Sequence, residues 1–172
     1  MKARFFFIAF TFSVFAFAQT TNASLNKTLK EYRQNLLAGN YESLVDYMYP
    51  KVFAMVGGKP NVVKMLKMAS QKTKEEGVSI KSISHKHGGK MAKKDGEIQI
   101  PIIETTVLEA SKNKKRFSTQ LMLIAISEDE GKSWTLINTM NQKKEQILTF
   151  FPNLSSDLEI KQFEAPKMSL SK

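Results

Sequence analysis

With 172 residues, no cysteine and a formal net charge of +10, the chain is long enough for one domain with its own core and excludes disulfide cross-links. Its basic residues are nearly all lysines scattered over every segment, which excludes the clustered, arginine-rich footprint of a nucleic-acid reader. The surplus positive charge suits only loose attraction to anionic polymers or lipid surfaces.

The first eighteen residues have the order of a secretory signal: Lys2 and Arg4, then the apolar run Phe5 to Phe15, then Ala16-Phe17-Ala18 as a small-x-small cleavage site. The run is too short to span a bilayer, and no later run approaches membrane-spanning length, so no membrane span is expected. The expected product is an exported protein, periplasmic or secreted, with Gln19 as its first residue. Removing 18 of 172 residues leaves 154, and removing Lys2 and Arg4 leaves 24 basic against 16 acidic residues, a net of +8. Export without cysteine fits a bacterial envelope protein held together by packing.

Asn22 or Ser24 is placed to cap a helix running to about Ala38, with Leu25, Leu29, Tyr32 and Leu36 as its apolar stripe. Gly39-Asn40 stops it. A second short helix follows from Tyr41 to Tyr49, with Leu44, Val45 and Met48 inward, and Pro50 opens a new first turn. Gly57-Gly58 breaks the pattern, and a third helix runs from Pro60 to Gly77 with Val62, Val63, Leu66 and Ala69 on one face. Beyond Val78 the period becomes two. Ile83 breaks the parity of Val78 and Ile80, which predicts a bulge near Lys81-Ser82. A brief strand at Met91 to Lys94 precedes a long one at Glu97 to Leu108, in which Pro101 demands an edge or a bulge. Arg116 to Ser127, apolar on both faces from Leu121 to Ile126, reads as a central strand, and Trp134 to Met140 returns antiparallel.

The tail carries a short helix at Lys143 to Phe151, expected to cover a sheet edge with Ile147, Phe150 and Phe151. A short strand is expected at Leu158 to Phe163, and frayed chain from Ala165 to Lys172. The expected domains are therefore a signal peptide at 1–18, one domain at 19–153 and a C-terminal extension at 154–172.

Three helices followed by a bent antiparallel sheet make an α+β arrangement. Together with the Leu-Ala-Gly-Asn-Tyr-Glu-Ser-Leu-Val-Asp run at 37–46 and the Ile124 to Ile137 hairpin, the order resembles the nuclear transport factor two-like superfamily. That cone-shaped, cystatin-like fold also holds ketosteroid isomerase. The resemblance covers roughly Ser24 to Asn153. It implies helices closing over a concave sheet, a pocket at the mouth, and often a homodimer through the outer sheet face.

The turn Ser127-x-Asp129-x-Gly131-x-Ser133-Trp134 looks like the Asp-box of sialidases and related β-propellers. One copy in 154 residues is too few for a propeller. Asp129 accepting the turn's own amides, Gly131 at positive φ and Trp134 packed beneath explain the residue set, so Ser127, Asp129, Gly131 and Trp134 read as a structural turn.

His85 and His87, the two histidines, share the parity of Ile83 and face the concavity if Ile83 does. Two histidines without cysteine make no zinc set, so no metal or cofactor is expected. Flanking Lys86, Lys90 and Gly88-Gly89 favour an exposed strand end. Glu104 shares the parity of Ile100 and Ile102; it is expected at the rim, while a buried position would make it a base candidate. The favoured function is an exported domain that binds a small hydrophobic molecule or a partner, with Tyr32, Tyr49, Phe53 and Met65 as candidate pocket residues. The alternative is a small lyase or isomerase of ketosteroid isomerase type, with Glu104 or His85 working against a helix tyrosine. No G-x-S-x-G, P-loop or HExxH pattern offers another chemistry.

Overall fold

The structure, a computed structural model, describes residues 9–164, with side chains from residue 23 onward. The basic start of the signal-like segment and the last eight residues lie outside the described residues. Among the described residues the fold is α+β, with five α-helices and one antiparallel sheet of five strands. The helices are α1 (Ala9–Ala38), α2 (Tyr41–Leu44), α3 (Pro50–Val56), α4 (Lys59–Glu75) and α5 (Lys144–Phe150). The strands are β1 (Val78–His87), β2 (Ala92–Lys94), β3 (Glu97–Ala110), β4 (Arg116–Ser127) and β5 (Thr135–Asn138). Among the described residues no helix is long and apolar enough to cross a membrane.

The first helix does not start at Asn22 or Ser24. Its described part runs from Ala9 to Ala38, with no glycine or proline to interrupt it. Ser24 is employed elsewhere, on the hairpin turn described below. The expected second helix is split: α2 gives way to a 3-10 turn at Val45–Tyr47, and Met48 then pairs with Leu136 as an extended residue. That contact, with the Tyr49 amide donating to the Leu136 carbonyl at 3.0 Å, covers the free edge of β5. Pro50 opens α3 as expected, and Gly57 and Gly58 separate it from α4.

In the sheet, β1, β3, β4 and β5 are neighbours in that order, and β2 pairs with β3 beyond the end of β1. The β1–β3 register shifts between Ile80 and Ser82, so Lys81 is the bulged residue, as the parity break requires. Pro101 sits opposite the gap between β1 and β2. Its carbonyl accepts the Gly88 amide at 2.7 Å, and the chain swings out where a ladder donor is missing. Gly88 is forced by that approach: a Cβ there would lie 3.1 Å from both Ile103 and Met122.

Strand β4 is central, and Met122 to Ile126 are all buried. Alternation divides the core in two. Ile98, Ile100, Ile102, Leu123, Ala125 and Leu136 pack with Leu25, Leu29, Tyr32, Leu44 and Trp134, the helix side. Ile124, Ile126 and Ile137 pack with Tyr49, Ile147, Phe151, Leu154 and Leu158 on the other side. Helix α5 and the chain after it therefore cover a sheet face rather than an edge, and Phe150 is exposed, contrary to expectation. The expected strand at Leu158 to Phe163 does not form, because that segment is anchored by side chains instead of a ladder.

Candidate functional site

Strand β3 carries two buried carboxylates on opposite faces. Glu104 follows Ile98, Ile100 and Ile102 on the helix side and is 3% exposed, not at a rim. The register sets it directly across from His85 on β1. The His85 Nε2 and a Glu104 carboxylate oxygen are 2.9 Å apart, with both side chains buried. His85 is thus no exposed strand end, whereas His87, two residues on and on the same face, is exposed. The bulge at Lys81 produces this arrangement by bringing Ile83, His85 and His87 onto the face already held by Val78 and Ile80.

Helix α1 closes the site from above. Its Tyr32 is buried, and its ring lies 6.1 Å from the His85 ring, tilted by 57°. Burial, then the charge of Glu104, pushes the Tyr32 hydroxyl's pKa up, so it stays protonated throughout the physiological range. A histidine bonded to a carboxylate through Nε2 keeps, when neutral, a bare lone pair on Nδ1. His85 borders an open cleft of about 150 Å³ between α1 and β1, whose lining includes Asn26, Lys30, Arg33, Lys86 and His87. Among the described residues no three metal-ligating side chains gather.

A second, larger cavity of about 390 Å³ opens at the other end of the α1–β1 seam. Leu36, Leu37, Tyr41, Leu66, Val78 and Ile80 line it, with Ser70, Thr73 and Lys74 at its polar margin. Leu37 and Ile80 are 45% and 38% exposed.

The four expected pocket residues are not brought together. Tyr32 is buried under α1, and Tyr49 lies in the core of the opposite sheet face. Phe53, on α3, is half-buried beneath Lys59, and Met65 projects from α4 at 58% exposure. None of the four borders either cavity. The lysine, arginine and asparagine of the cleft were passed over, although they leave a trace: Asn26, Lys30 and Arg33 recur at four and three along α1, beside the apolar stripe.

The other carboxylate, Glu97, is closed in. Tyr49 donates to it at 2.9 Å, Gln99 at 2.8 Å and the Asn153 amide at 2.8 and 3.1 Å. Gln99 in turn accepts the Ser155 amide and donates to the Asn153 carbonyl, and Lys94 donates to the carbonyls of Pro152 and Leu154. This network ties residues 152–155 onto the sheet. The Asn153 Oδ1 is the one buried side-chain polar atom among the described residues left without a hydrogen-bond partner, and neither of the two cavities above reaches the network.

The Asp129 turn is self-contained in the same way. Asp129 accepts the amides of Lys132 and Ser133 at 3.1 and 2.9 Å and the Ser133 hydroxyl at 2.6 Å. Those bonds hold its pKa down at about 2. The Ser127 hydroxyl accepts the Gly131 amide, and Gly131 has φ +87°. Trp134 is buried and donates from its ring nitrogen to the Ser24 hydroxyl at 2.9 Å, while Ser24 itself donates to the Gly131 carbonyl. The turn is a clasp between the hairpin and α1.

Compared with known proteins, the chain matches no family model and no curated protein.

Proposed function

We propose that the chain is an exported, single-domain member of the nuclear transport factor two-like, cone-shaped group that binds a small, largely apolar molecule. The cavity between the end of α1, α4 and the start of β1 carries the reading: it leaves Leu37 and Ile80 in solvent where a folded chain would ordinarily cover them. Its volume falls within the range of small-molecule sites, and its apolar wall with a few hydroxyls and one lysine at the margin has the usual composition of such sites. The signal-like start at Lys2 to Ala18 supports export. A homodimer through the sheet would have to use the half of the outer face that α5 and residues 151–158 leave open, around Val107, Ser118 and Gln120.

Titration with the neutral dye N-phenyl-1-naphthylamine tests the reading. The expected result is a saturable rise in fluorescence that Ile80→Asp or Leu37→Glu weakens at least tenfold while thermal stability stays nearly unchanged. Dye affinity unmoved in both folded variants would sink it.

A lyase or isomerase is the second reading, and the buried His85–Glu104 pair with Tyr32 beside it favours it. The cleft at that pair is narrow and cationic. It suits a small charged substrate better than a sterol.

A further inference from the structure

We propose that the cleft between α1 and β1 is a binding site for a small oxyanion, a carboxylate or a phosphate, held by the donors of Lys30, Arg33 and Lys86 with His85 at its wall. The site stands apart from the apolar cavity, since the two share no lining residue.

Three observations converge. The first is charge: Lys30 and Arg33 from α1 and Lys86 from β1 all border the cleft, and no acidic residue does. Among the described residues neither Lys30 nor Arg33 makes an ion pair or a side-chain hydrogen bond, although elsewhere Lys59, Lys67, Lys81 and Arg116 find carboxylate partners. Arg33 is also half-buried, so its guanidinium is poorly placed to be satisfied by bulk water alone. A planar fork of donors in that setting matches a carboxylate or phosphate in two-point contact.

The second is the histidine. His85 spends one ring nitrogen on Glu104, and the residue also lines the cleft. The carboxylate behind it fixes the orientation of the ring, with Nε2 turned to Glu104 and Nδ1 left for a second partner. An isolated buried polar pair of this kind adds little net stability over apolar residues of the same size. Here the pair stands at the wall of an open cleft.

The third is size. About 150 Å³ admits a molecule of a few heavy atoms, roughly five waters' share of liquid volume. That suits succinate or inorganic phosphate. The neutral walls, Leu29 and Ile102, leave the cationic rim and His85 as the recognition elements.

Calorimetric titration of the whole chain tests this, with succinate, inorganic phosphate and neutral succinamide as the three probes at fixed ionic strength. Succinate or phosphate should bind at one site, and the stronger of the two identifies the natural oxyanion. Succinamide should bind at least tenfold more weakly. Arg33→Gln, a half-buried position on α1 away from the core, should weaken binding at least fivefold, and His85→Gln should do the same if it folds. Lys27→Gln, exposed on α1 and outside the cleft, should change affinity less than twofold. Equal binding of succinamide, absence of binding by both anions, or equal losses from Lys27→Gln and Arg33→Gln would each overturn the proposal. The last outcome would assign the attraction to net charge alone.

Discussion

Glu97 and Glu104 sit seven residues apart on one strand, both buried, and their surroundings differ entirely. Glu97, on the outer face, accepts from Tyr49, Gln99 and Asn153, and every one of those donors is aimed by the chain's own packing. Glu104, on the helix face, has one hydrogen-bonding partner among the described residues, His85, and that partner borders a cleft. The contrast shows how a buried carboxylate is to be read. One whose acceptors are filled by the fold holds the fold together, whereas one that orients a second group toward open space is equipped to act through it.

Removing each in turn should separate the two roles. Glu97→Ala leaves the Tyr49 hydroxyl without its acceptor and takes one acceptor each from the Gln99 and Asn153 amides in a buried site. It should cost about 3–5 kcal/mol, read as a lower midpoint in urea, because each unpaired buried donor costs on the order of 1–3 kcal/mol. Succinate binding by the folded fraction should be unaffected. Glu104→Gln should cost less, about 1–2 kcal/mol, since one bond to His85 is altered and no donor is stranded. It should nevertheless weaken succinate binding about fivefold, because the amide no longer fixes which ring nitrogen carries the proton. If Glu104→Gln proves the more destabilising and leaves binding intact, the distinction between the two carboxylates fails.

The smallest effect belongs to the Asp129 turn, which resembles Glu97 in being satisfied by its own neighbours. With its carboxyl at about 2 when folded against 3.8 as the ordinary value, Asp129 adds stability that is fully present above about pH 4 and is lost as the pH falls toward 2. The turn is partly solvated, so that contribution is of order 1 kcal/mol. Asp129→Asn should therefore lower the urea midpoint slightly at pH 7 and converge with the parent protein near pH 2. Affinity for either class of ligand should stay the same.

Much of this division was legible in the sequence. Alternation placed Glu104 with Ile100 and Ile102, and His85 with Ile83. The parity break at Lys81-Ser82 announced the bulge, and Pro101 announced the gap in the ladder. The limits of β4 follow from an apolar run with turn residues at both ends. What local pattern does not carry is pairing. Register between strands more than ten residues apart is a tertiary choice, so the meeting of His85 with Glu104, and the burial that comes with it, could not be read from either strand alone. Tyr49 was misplaced for the same reason: the chain leaves the helix layer at Met48 to pair with Leu136, which carries the tyrosine to the opposite face. The segment after α5 was read as ending in a strand at Leu158 to Phe163, which does not form; side-chain bonds from Gln99, Lys94 and Glu97 hold residues 152–155 instead of a ladder. Ser24 looked like a cap because serine often is one; here Trp134, 110 residues away, claims the hydroxyl.

The tautomer of His85 is the most direct test of the central claim, and long-range ¹H–¹⁵N correlation spectra of the imidazole report it. The arrangement predicts that neutral His85 carries its proton on Nε2, bonded to Glu104, and that the Nδ1 resonance moves on addition of succinate or phosphate. A neutral ring with its proton on Nδ1 alone, or a His85 spectrum indifferent to both anions at concentrations that saturate the protein, would contradict it.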